Sequence, residues 1–400
     1  MNGNKKVILH LIFDGILFDR MYSRFEKMEH YENRYLFGSL NTDKEIKYIK
    51  NTEKLIRTDS LEKWGQIVSD SKVDVIYMHG LWPDYLKAVD YIRDEVVVMW
   101  WCYGMEIYEN CFGLPPLMEI NIYKPRTFKY LESLGGFRHR VFFILLHRHP
   151  KIYLLLNKIL NYIHRKPEIK LEKMLSRIDF AFTPLEMELQ ELKKKHPYIK
   201  AKPYVLRGYS TKEPLVIHKD TGNILLEHSA NISDNHLDII AAIKSKKLDL
   251  QDRDIYVPLG YGDERFAERV KNEARFDGAN VHCLMEALPF NEYKEMMGGC
   301  THAIFGMIRQ SGLGNIYLCF RKGIKVFFFK DSILYKQFKA NGCYVYSIED
   351  DLNDLSIQEP LTIEQAANNH NYLYSIYDNS YGTDQQQFDN ILKDYKHDKH

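Results

Sequence analysis

Short apolar runs alternate with amphipathic stretches along most of this chain. An apolar run bounded by polar residues or glycine predicts a buried strand, and apolar residues at every third or fourth position predict a helix. The predicted strands of the first half are residues 7–13, 73–78, 96–101 and 180–183, with helices at 61–69 and 83–91. Those of the second half are residues 223–226, 255–258, 281–284, 303–308 and 324–329, with helices near 236–244, 264–274, 291–297 and 313–322.

This alternation of strand and helix predicts an α/β protein with two doubly wound parallel sheets. The polar stretch 208–222, with Pro214 inside it, predicts a linker. We therefore expect an N-terminal Rossmann-like domain at 1–207 and a C-terminal one at 223–380. The polar segment 381–400 contains a helical pattern at 385–395, and we expect it to form a helix and a tail.

The composition limits the classes of function. Of the 400 residues 45% are apolar, which is enough for two cores, and the net charge of +1 gives no overall attraction to nucleic acid. The six cysteines lack metal-binding spacing and are typical of reduced thiols in a cytoplasm. The N-terminal apolar run is typical of a first strand rather than a signal peptide, and no apolar stretch is long enough to span a membrane.

A glycine-rich loop joins the predicted strand 303–308 to the helix pattern that follows it. The loop contains Arg309, Gln310, Gly312 and Gly314, and Asn315 begins the helical turn. Glycines let the backbone approach a ligand, and the free amides at a helix N-terminus suit an anion such as phosphate. Arginine adds a cation with a forked donor geometry. An ordinary tight turn with an exposed arginine is the alternative, because such turns are common.

Polar or aromatic residues follow four predicted strands of the second domain. They are Ser229, Asn231, Asp234 and Asn235 after 223–226, Tyr261 after 255–258, Glu286 after 281–284, and Arg309 after 303–308. Ligands of doubly wound sheets bind at the carboxyl ends of the strands, so these residues predict a binding rim. The alternative for Ser233, Asp234 and Asn235 is a helix N-cap.

Three residues of the first domain also lie just beyond predicted strands: Asp14, His79 and Glu106. A carboxylate or imidazole at such a position can transfer protons, so they are the candidate general bases. Each alone is more often an ordinary loop residue. No G-x-G-x-x-G sequence follows the first strand and no G-x-x-x-x-G-K-[ST] loop occurs, which argues against a dinucleotide dehydrogenase.

Residues 137–166 are basic and rich in apolar side chains, and no acidic residue occurs between Glu132 and Glu168. Pro150 divides the segment into two amphipathic helical patterns. Such helices bind anionic bilayer surfaces, and the alternative is a packed pair of helices with cations at its edge. The residues we expect at the membrane are Arg138, Arg140, Phe142, Phe143, Arg148, Lys151 and Lys158.

Several motifs occur in the order of one bacterial family. They include His10 with Arg20 and Arg24-Phe25, His79-Gly80, the segment Trp100 to Glu109, Ser229 to His236, Val257 to Tyr261, Glu286 with Phe290 and Tyr293, and Arg309 to Gly314 followed by Gly323. The chain resembles the TDP-Fuc4NAc transferases of glycosyltransferase family 56, the 4-alpha-L-fucosyltransferase-like enzymes that extend the lipid-linked oligosaccharide of enterobacterial common antigen. The resemblance departs at Glu106, where the family has aspartate, and at Tyr103, where it has tryptophan. The basic segment is also longer than its family counterpart.

The resemblance implies a GT-B glycosyltransferase, with two Rossmann-like domains facing each other across a cleft and no requirement for a metal or cofactor. It implies a nucleotide-sugar donor and a polyprenyl-diphosphate-linked saccharide acceptor, and a dTDP-linked donor is typical of the family. It also implies a peripheral position at the cytoplasmic face of the inner membrane. The donor sugar, the acceptor and the anomeric outcome are left open. The alternatives are a GT-B nucleotide-sugar epimerase and a non-catalytic nucleotide-sugar-binding protein.

Overall fold

The computed structural model describes most of the chain. The described residues are 5–15, 18–39, 41–43, 45–87, 89–109, 116–118, 120–135, 145, 149, 152, 155–156, 171–206, 212–218, 220, 222–376 and 382–398. The chain divides into two compact units. The first comprises Met1–Glu119, His149–Gly208 and Asn379–His400, and the second comprises Ile120–Arg148 and Tyr209–Asp378.

The first unit is built on a seven-stranded parallel sheet with the order β3-β2-β1-β4-β5-β6-β7. The strands are β1 (Lys6–Ile12), β2 (Tyr31–Phe37), β3 (Leu55–Ile56), β4 (Val73–His79), β5 (Val97–Trp101), β6 (Phe180–Phe182) and β7 (Lys202–Pro203). Six of the seven residues of β1 are buried, as expected for a central parallel strand that is covered on both faces. The strand order reverses between β1 and β4, and this reversal marks the ligand edge of such sheets.

Helices cover the sheet of the first unit. They are Phe18–Phe25, Leu61–Val68, Pro83–Lys87, Met105–Tyr108, Leu171–Arg177, Glu186–Lys195 and Asp384–Asp398, with a 3₁₀ turn at Val89–Tyr91. The last of them returns the chain to this unit, because Phe388 and Leu392 pack in the same apolar cluster as Phe25 and Tyr77. An ion pair between Arg24 and Asp384, with Nη2 2.5 Å from Oδ1, fixes the start of this helix.

The second unit has a six-stranded parallel sheet with the order β10-β9-β8-β11-β12-β13. The strands are β8 (Asn223–Leu226), β9 (Arg253–Pro258), β10 (Ala279–Leu284), β11 (Cys300–Phe305), β12 (Lys325–Phe328) and β13 (Tyr346–Ser347). This is the strand order of a dinucleotide-binding Rossmann sheet, and the order reverses between β8 and β11. Every residue of β11 is buried, so side chains that could contact a ligand come only after the end of this strand at Phe305.

The helices of the second unit form the two layers around this sheet. They are Pro125–Ser133, His236–Lys246, Glu264–Glu273, Phe290–Gly298, Leu313–Arg321, Ile333–Ala340, Asp354–Gln358 and Ile363–Ser375, with a 3₁₀ turn at Ile232–Asp234. Local signals in the sequence set their ends. Asp263 caps the third of them by accepting a hydrogen bond from the amide of Phe266, and Thr362 and Gln365 form a capping box at the last.

Residues 120–133 belong to the second unit, although they lie within the expected first domain, 1–207. Two side chains of the second unit explain the difference. Asn235 accepts a hydrogen bond from the amide of Lys124 at 2.8 Å and donates to the carbonyl of Ile122 at 3.0 Å. Asp238 accepts from the amides of Arg126 and Thr127, both at 2.9 Å, and thereby caps the helix Pro125–Ser133.

The predicted α/β class with two parallel sheets is confirmed. The predicted strand 303–308 is shifted, because β11 ends at Phe305 and Gly306 to Ile308 lie beyond it as buried loop residues. In the part of the chain that the structure describes, no helix combines the length and the apolar character needed to cross a membrane.

Candidate functional site

The second sheet brings two loops together where its strand order reverses. One loop follows β8 and carries Glu227 to Asn235, and the other follows β11 and carries Gly306 to Gly312. The amide of Gly306 donates a hydrogen bond to Oε1 of Glu227, which ties the loops to each other. Gly306 is required here because a methyl group on its Cα would lie 2.5 Å from the carbonyl oxygen of Asp234.

A cluster of Glu227, His228 and Asp234 lies between these loops, with the two acidic residues buried and His228 half-buried. Nδ1 of His228 is 3.2 Å from Oε2 of Glu227 and 3.9 Å from Oδ2 of Asp234. Ser229 donates to Oδ2 of Asp234 at 2.7 Å, and Asn231 donates to the hydroxyl of Ser229 at 2.8 Å. Glu227 has a left-handed backbone, with φ +63°, which is uncommon for a residue with a side chain and favours a functional role.

Burial and mutual repulsion control the charges of this cluster. Burial and the neighbouring Asp234 raise the pKa of Glu227, so the pair of carboxyl groups holds a proton more tightly than isolated carboxyl groups do. Burial also raises the pKa of Asp234, against the opposing effects of His228, Ser229 and Arg309. For His228 burial lowers the pKa, but Asp234 and Glu227 outweigh this effect and raise it. The cluster therefore favours a histidine cation paired with one carboxylate.

The same three side chains have the donor atoms of a metal site. Their existing hydrogen bonds argue for a different interpretation. Both oxygens of Glu227 and Oδ2 of Asp234 already accept hydrogen bonds from the Gly306 amide, His228 and Ser229, and Oδ1 of Asp234 is the one carboxylate oxygen of the three residues without a partner. We therefore interpret the group as a proton-sharing cluster.

Arg309 and the glycine loop lie at the carboxyl end of β11, as predicted from the sequence. Arg309 donates from Nε to the hydroxyl of Ser233 at 3.3 Å and from Nη1 to the carbonyl of Gln310 at 3.0 Å. Gly312, with φ +60°, is the N-cap of the helix Leu313–Arg321 and has no side chain to cap it. The first amides of this helix thus lack a side-chain cap and follow Arg309 in the chain, an arrangement that suits phosphate.

Asn235 has a positioning role in the structure. Its side-chain amide donates to the carbonyls of Ile122, Ser233 and Gly306, and its oxygen accepts from Lys124. It occupies the N-cap position of the helix His236–Lys246, with φ +56°, but its side chain does not cap that helix. The N-cap alternative is therefore confirmed in position only.

The remaining predicted donor residues lie around this edge. Ser229 and Asp234 are buried, Asn231, Gln310 and Asn315 are half-buried, and Gly314 and Glu286 are exposed. Tyr261 is 65% exposed, so its ring is available for stacking. Its loop lies close to β8, since the carbonyl of Tyr261 accepts a hydrogen bond from the amide of Ala230 at 2.6 Å. Sequence reasoning missed Glu227 and His228 as site residues, although the Glu-His-Ser sequence directly after a predicted strand was a usable signal.

The candidate bases of the first unit lie at or just beyond the carboxyl ends of β1, β4 and β5. Two of them, Asp14 and His79, have the following hydrogen-bond partners. Asp14 accepts hydrogen bonds from the amides of Lys47, Tyr48 and Ile49, and so holds a loop. His79 is buried, with Nε2 3.1 Å from Nδ1 of His10 and Nδ1 3.4 Å from the hydroxyl of Tyr103.

Glu106 is also buried, at 6% exposure. Its Oε1 accepts hydrogen bonds from Nε1 of Trp100 at 3.2 Å and from the amide of Tyr103 at 3.1 Å. Burial raises the pKa of Glu106 and outweighs these hydrogen bonds, which favour the ionised form. A raised pKa brings the carboxylate nearer to the range in which a general base works at neutral pH.

The residues predicted to bind the membrane lie outside the described part of the chain. This holds for Arg138, Arg140, Phe142, Phe143, Arg148, Lys151 and Lys158.

Comparison with known proteins places this geometry in a family context. Residues 199–392 match the family model described as 4-alpha-L-fucosyltransferase glycosyl transferase group 56. The predicted resemblance is confirmed over this region. It includes β8 to β13 and the whole cluster around His228, so the match to group 56 covers the site described above.

Solved glycosyltransferase structures share the fold. The apo form of the lipopolysaccharide outer core galactosyltransferase WaaB has a TM-score of 0.56 at 9% identity, over 97% of this chain and 99% of that chain. A sucrose-phosphate synthase from Thermosynechococcus elongatus has a TM-score of 0.57 at 8% identity, over 98% and 99%. HepE from Anabaena, in complex with UDP and glucose, has a TM-score of 0.53 at 8% identity, over 97% and 100%. The two-domain GT-B fold is thus confirmed, and together with the group 56 match it supports a glycosyltransferase.

Proposed function

We propose that this protein transfers a deoxyamino sugar of the Fuc4NAc type from a dTDP-linked donor to a polyprenyl-diphosphate-linked oligosaccharide. The reaction belongs to the synthesis of a bacterial surface polysaccharide. The observation that carries the proposal is that Arg309 and the uncapped start of the helix Leu313–Arg321, at Gly312, lie in one loop inside the region that matches glycosyltransferase group 56.

The donor part of the proposal follows from the chemistry of glycosyl transfer. The acceptor hydroxyl oxygen forms a bond to C1 of the donor sugar, and the bond from C1 to the diphosphate oxygen breaks. Negative charge develops on the departing nucleoside diphosphate, so fixed cations and helix amides at that position lower the barrier. Arg309 is tethered by Ser233 and by the carbonyl of Gln310, which holds its guanidinium in a fixed orientation.

The acceptor hydroxyl loses a proton in the same reaction, and a base has to accept it in an inverting mechanism. We propose Glu106 for this role, with His79 and then Asp14 as the next candidates. The buried carboxylate of Glu106 and its raised pKa support the first choice. The three hydrogen bonds that Asp14 accepts from backbone amides suit it better to holding a loop.

The lipid-linked acceptor is proposed from the family resemblance and from the basic segment 137–166. A polyprenyl-diphosphate acceptor lies at a bilayer surface, and a segment with basic and apolar residues would hold the enzyme there. The expected position is therefore peripheral, at the cytoplasmic face of the inner membrane.

A panel of nucleotide sugars tests the proposal. The purified protein is heated with dTDP-, UDP-, GDP- and CMP-sugars in turn, and the melting temperature is recorded. Binding of a donor raises the melting temperature, and the rise increases with the ratio of the donor concentration to its dissociation constant. The nucleotide sugar that stabilises the protein most is then incubated with the protein and a polyprenyl-diphosphate oligosaccharide. The lipid product is separated, and its mass is measured by mass spectrometry.

The outcomes separate the alternatives. A lipid product heavier by one sugar residue supports the proposal. Conversion of the donor into an epimer without acceptor indicates a nucleotide-sugar epimerase. Stabilisation without any conversion indicates a non-catalytic binding protein, and stabilisation by none of the panel contradicts the donor site itself.

A further inference from the structure

The side chain of His228 reaches solvent, whereas its two acidic partners do not. Its exposure is 10%, and that of Glu227 and Asp234 is 0%. Nδ1 points to the two carboxyl groups, so the opposite side of the ring, with Nε2, is left for another partner. Any ligand that contacts this cluster therefore meets His228 first.

The imidazole lies against the first turn of the phosphate-binding loop. A methyl group on Gly312 would lie 2.7 Å from Cε1 of His228 and 3.0 Å from its Nε2. Gly312 is the N-cap of the helix Leu313–Arg321, so the ring lies beside the amides at the positive end of that helix. The close approach depends on glycine at this position.

The charged and titratable groups around His228 come from four elements. Glu227 follows β8, Asp234 lies in the 3₁₀ turn, His236 begins the next helix, and Arg309 follows β11. Burial lowers the pKa of His236 to about 3, so this residue is neutral. Asp234 and Glu227 together supply the negative charge that favours a charged His228.

We propose that His228 is a second cationic contact for the diphosphate of the donor, beside Arg309 and the amides at the start of the helix Leu313–Arg321. The proposal rests on the proposed function, because it assigns a further residue to the same donor site. Each phosphate of a nucleotide sugar carries one negative charge. Two cations held on the loops after β8 and β11 match this charge pattern without a metal ion.

Titration of a nucleotide sugar against pH tests the proposal. The affinity of the protein for dTDP-glucose and for thymidine is measured by calorimetry between about pH 6 and pH 9, in buffer that contains EDTA. Both phosphates of dTDP-glucose are esterified, so the ligand itself does not change charge in this range. The proteins are the wild type, His228→Gln and the control His282→Gln, which removes an exposed histidine that is hydrogen bonded to Asp254 in the same unit.

We expect the affinity of the wild type for dTDP-glucose to fall as the pH rises, because His228 loses its proton. His228→Gln should bind dTDP-glucose about tenfold more weakly at low pH, the usual loss for a hydrogen bond to a charged group, and should show a shallower pH dependence than the wild type, because only the carboxyl groups of the cluster still titrate. The affinity for thymidine should be equal in both proteins. His282→Gln should behave as the wild type. A parallel titration with UDP-glucose and uridine applies the same criteria if the protein prefers uracil to thymine as the base.

Three results would overturn the proposal. If His228→Gln keeps the affinity and pH profile of the wild type, His228 does not contact the diphosphate, while the proposed function stands. If thymidine and dTDP-glucose lose affinity equally, His228 only supports the fold of the site. If the wild type binds only after Zn²⁺ or Mn²⁺ replaces the EDTA, a metal ion occupies the cluster. Absence of binding by the wild type to every nucleotide sugar would remove the proposed function as well.

Discussion

The imidazoles of His10 and His79 are hydrogen bonded to each other, with Nδ1 of His10 3.1 Å from Nε2 of His79. The neighbours fix the direction of this bond. Asn33 donates its amide to the carbonyl of Phe25 at 2.9 Å, so its oxygen faces Nε2 of His10 at 3.1 Å and accepts from it. Nδ1 of His10 is then an acceptor, and His79 donates from Nε2.

This series of hydrogen bonds requires both imidazole rings to be neutral, and burial keeps them neutral. Burial lowers the pKa of His10 to about 4, and burial and the neighbouring His10 lower that of His79 well below its ordinary value. An unfolded histidine takes up a proton near pH 6.5, so between about pH 6.5 and pH 4 the unfolded chain binds more protons. Acid in this range therefore favours unfolding.

We predict that the free energy of unfolding falls as the pH is lowered from about 6.5 to 4, with up to about 3 kcal/mol arising from His10 alone. His10→Gln should be less stable at neutral pH but should show a shallower dependence on pH. Urea unfolding at several pH values measures both. His30→Gln, which replaces an exposed histidine of the same unit, is the control and should keep the slope of the wild type. A slope that His10→Gln leaves unchanged would contradict neutral burial of this ring.

Sequence patterns predicted most of the central strands because these are apolar runs covered on both faces. β2 was missed since Glu32, Asn33 and Arg34 interrupt its apolar pattern, and its pairing with β1 and β3 makes it a strand. In the second unit, Arg309 and Gly312 were found from a local glycine-rich loop. Asp234 was also found from the sequence, but its grouping with Glu227 and His228 was not, because the hydrogen bonds of this cluster form only when the 3₁₀ turn and β11 are in place.

Gly312 offers a test of the contact with His228. In Gly312→Ala the new methyl group would lie within about 3 Å of the imidazole, so the ring has to move. Gly342→Ala is a matched control, because Gly342 also has a positive φ, +75°, but nothing within 4 Å of the added methyl. Both variants should lose roughly 1 kcal/mol of stability from backbone strain. Only Gly312→Ala should bind a nucleoside diphosphate more weakly, as measured by calorimetry. Equal affinities in the two variants would show that the contact has no part in binding.

Arg309→Ala should weaken the binding of free nucleoside diphosphate by about 2 kcal/mol, because a hydrogen bond to a charged group is lost. Addition of Mg²⁺ or EDTA should change the affinity little in either protein. Arg269→Ala is the control, since Arg269 is exposed and pairs with Glu273 on its own helix. Unaltered affinity in Arg309→Ala would exclude this residue from the diphosphate site.

The basic segment 137–166 should attach the protein to anionic membranes. Replacement of Arg138, Arg140, Arg148 and Lys151 by glutamate should release the protein from anionic vesicles while it stays folded, and salt should have the same effect on the native protein. Sedimentation with vesicles measures the bound fraction. The control changes the same number of charges on and beside the helix Glu186–Lys195, by glutamate at Lys193, Lys194, Lys195 and Lys200. Failure of the native protein to bind at low salt would make the segment a packed pair of helices and would count against a lipid-linked acceptor.

Glu106→Gln tests the proposed general base. Glutamine preserves the shape of the side chain and an oxygen that can accept from Trp100 and Tyr103, but it cannot take up a proton. Turnover should fall by roughly 10²-fold or more, the usual scale for the loss of a general base, while donor affinity stays the same. Steady-state kinetics with saturating donor measures the change.

Glu188→Gln is the matched control for this prediction. Glu188 is fully buried in the same unit and accepts hydrogen bonds from the hydroxyl of Tyr108 at 2.9 Å and the amide of Leu185 at 3.0 Å. It resembles Glu106 in burial and bonding, so a drop in turnover confined to Glu106→Gln reports chemistry rather than packing. Near-normal turnover in Glu106→Gln would pass the role to His79, tested as His79→Gln, and then to Asp14. Tolerance at all three positions would indicate a retaining reaction in which the departing diphosphate accepts the proton.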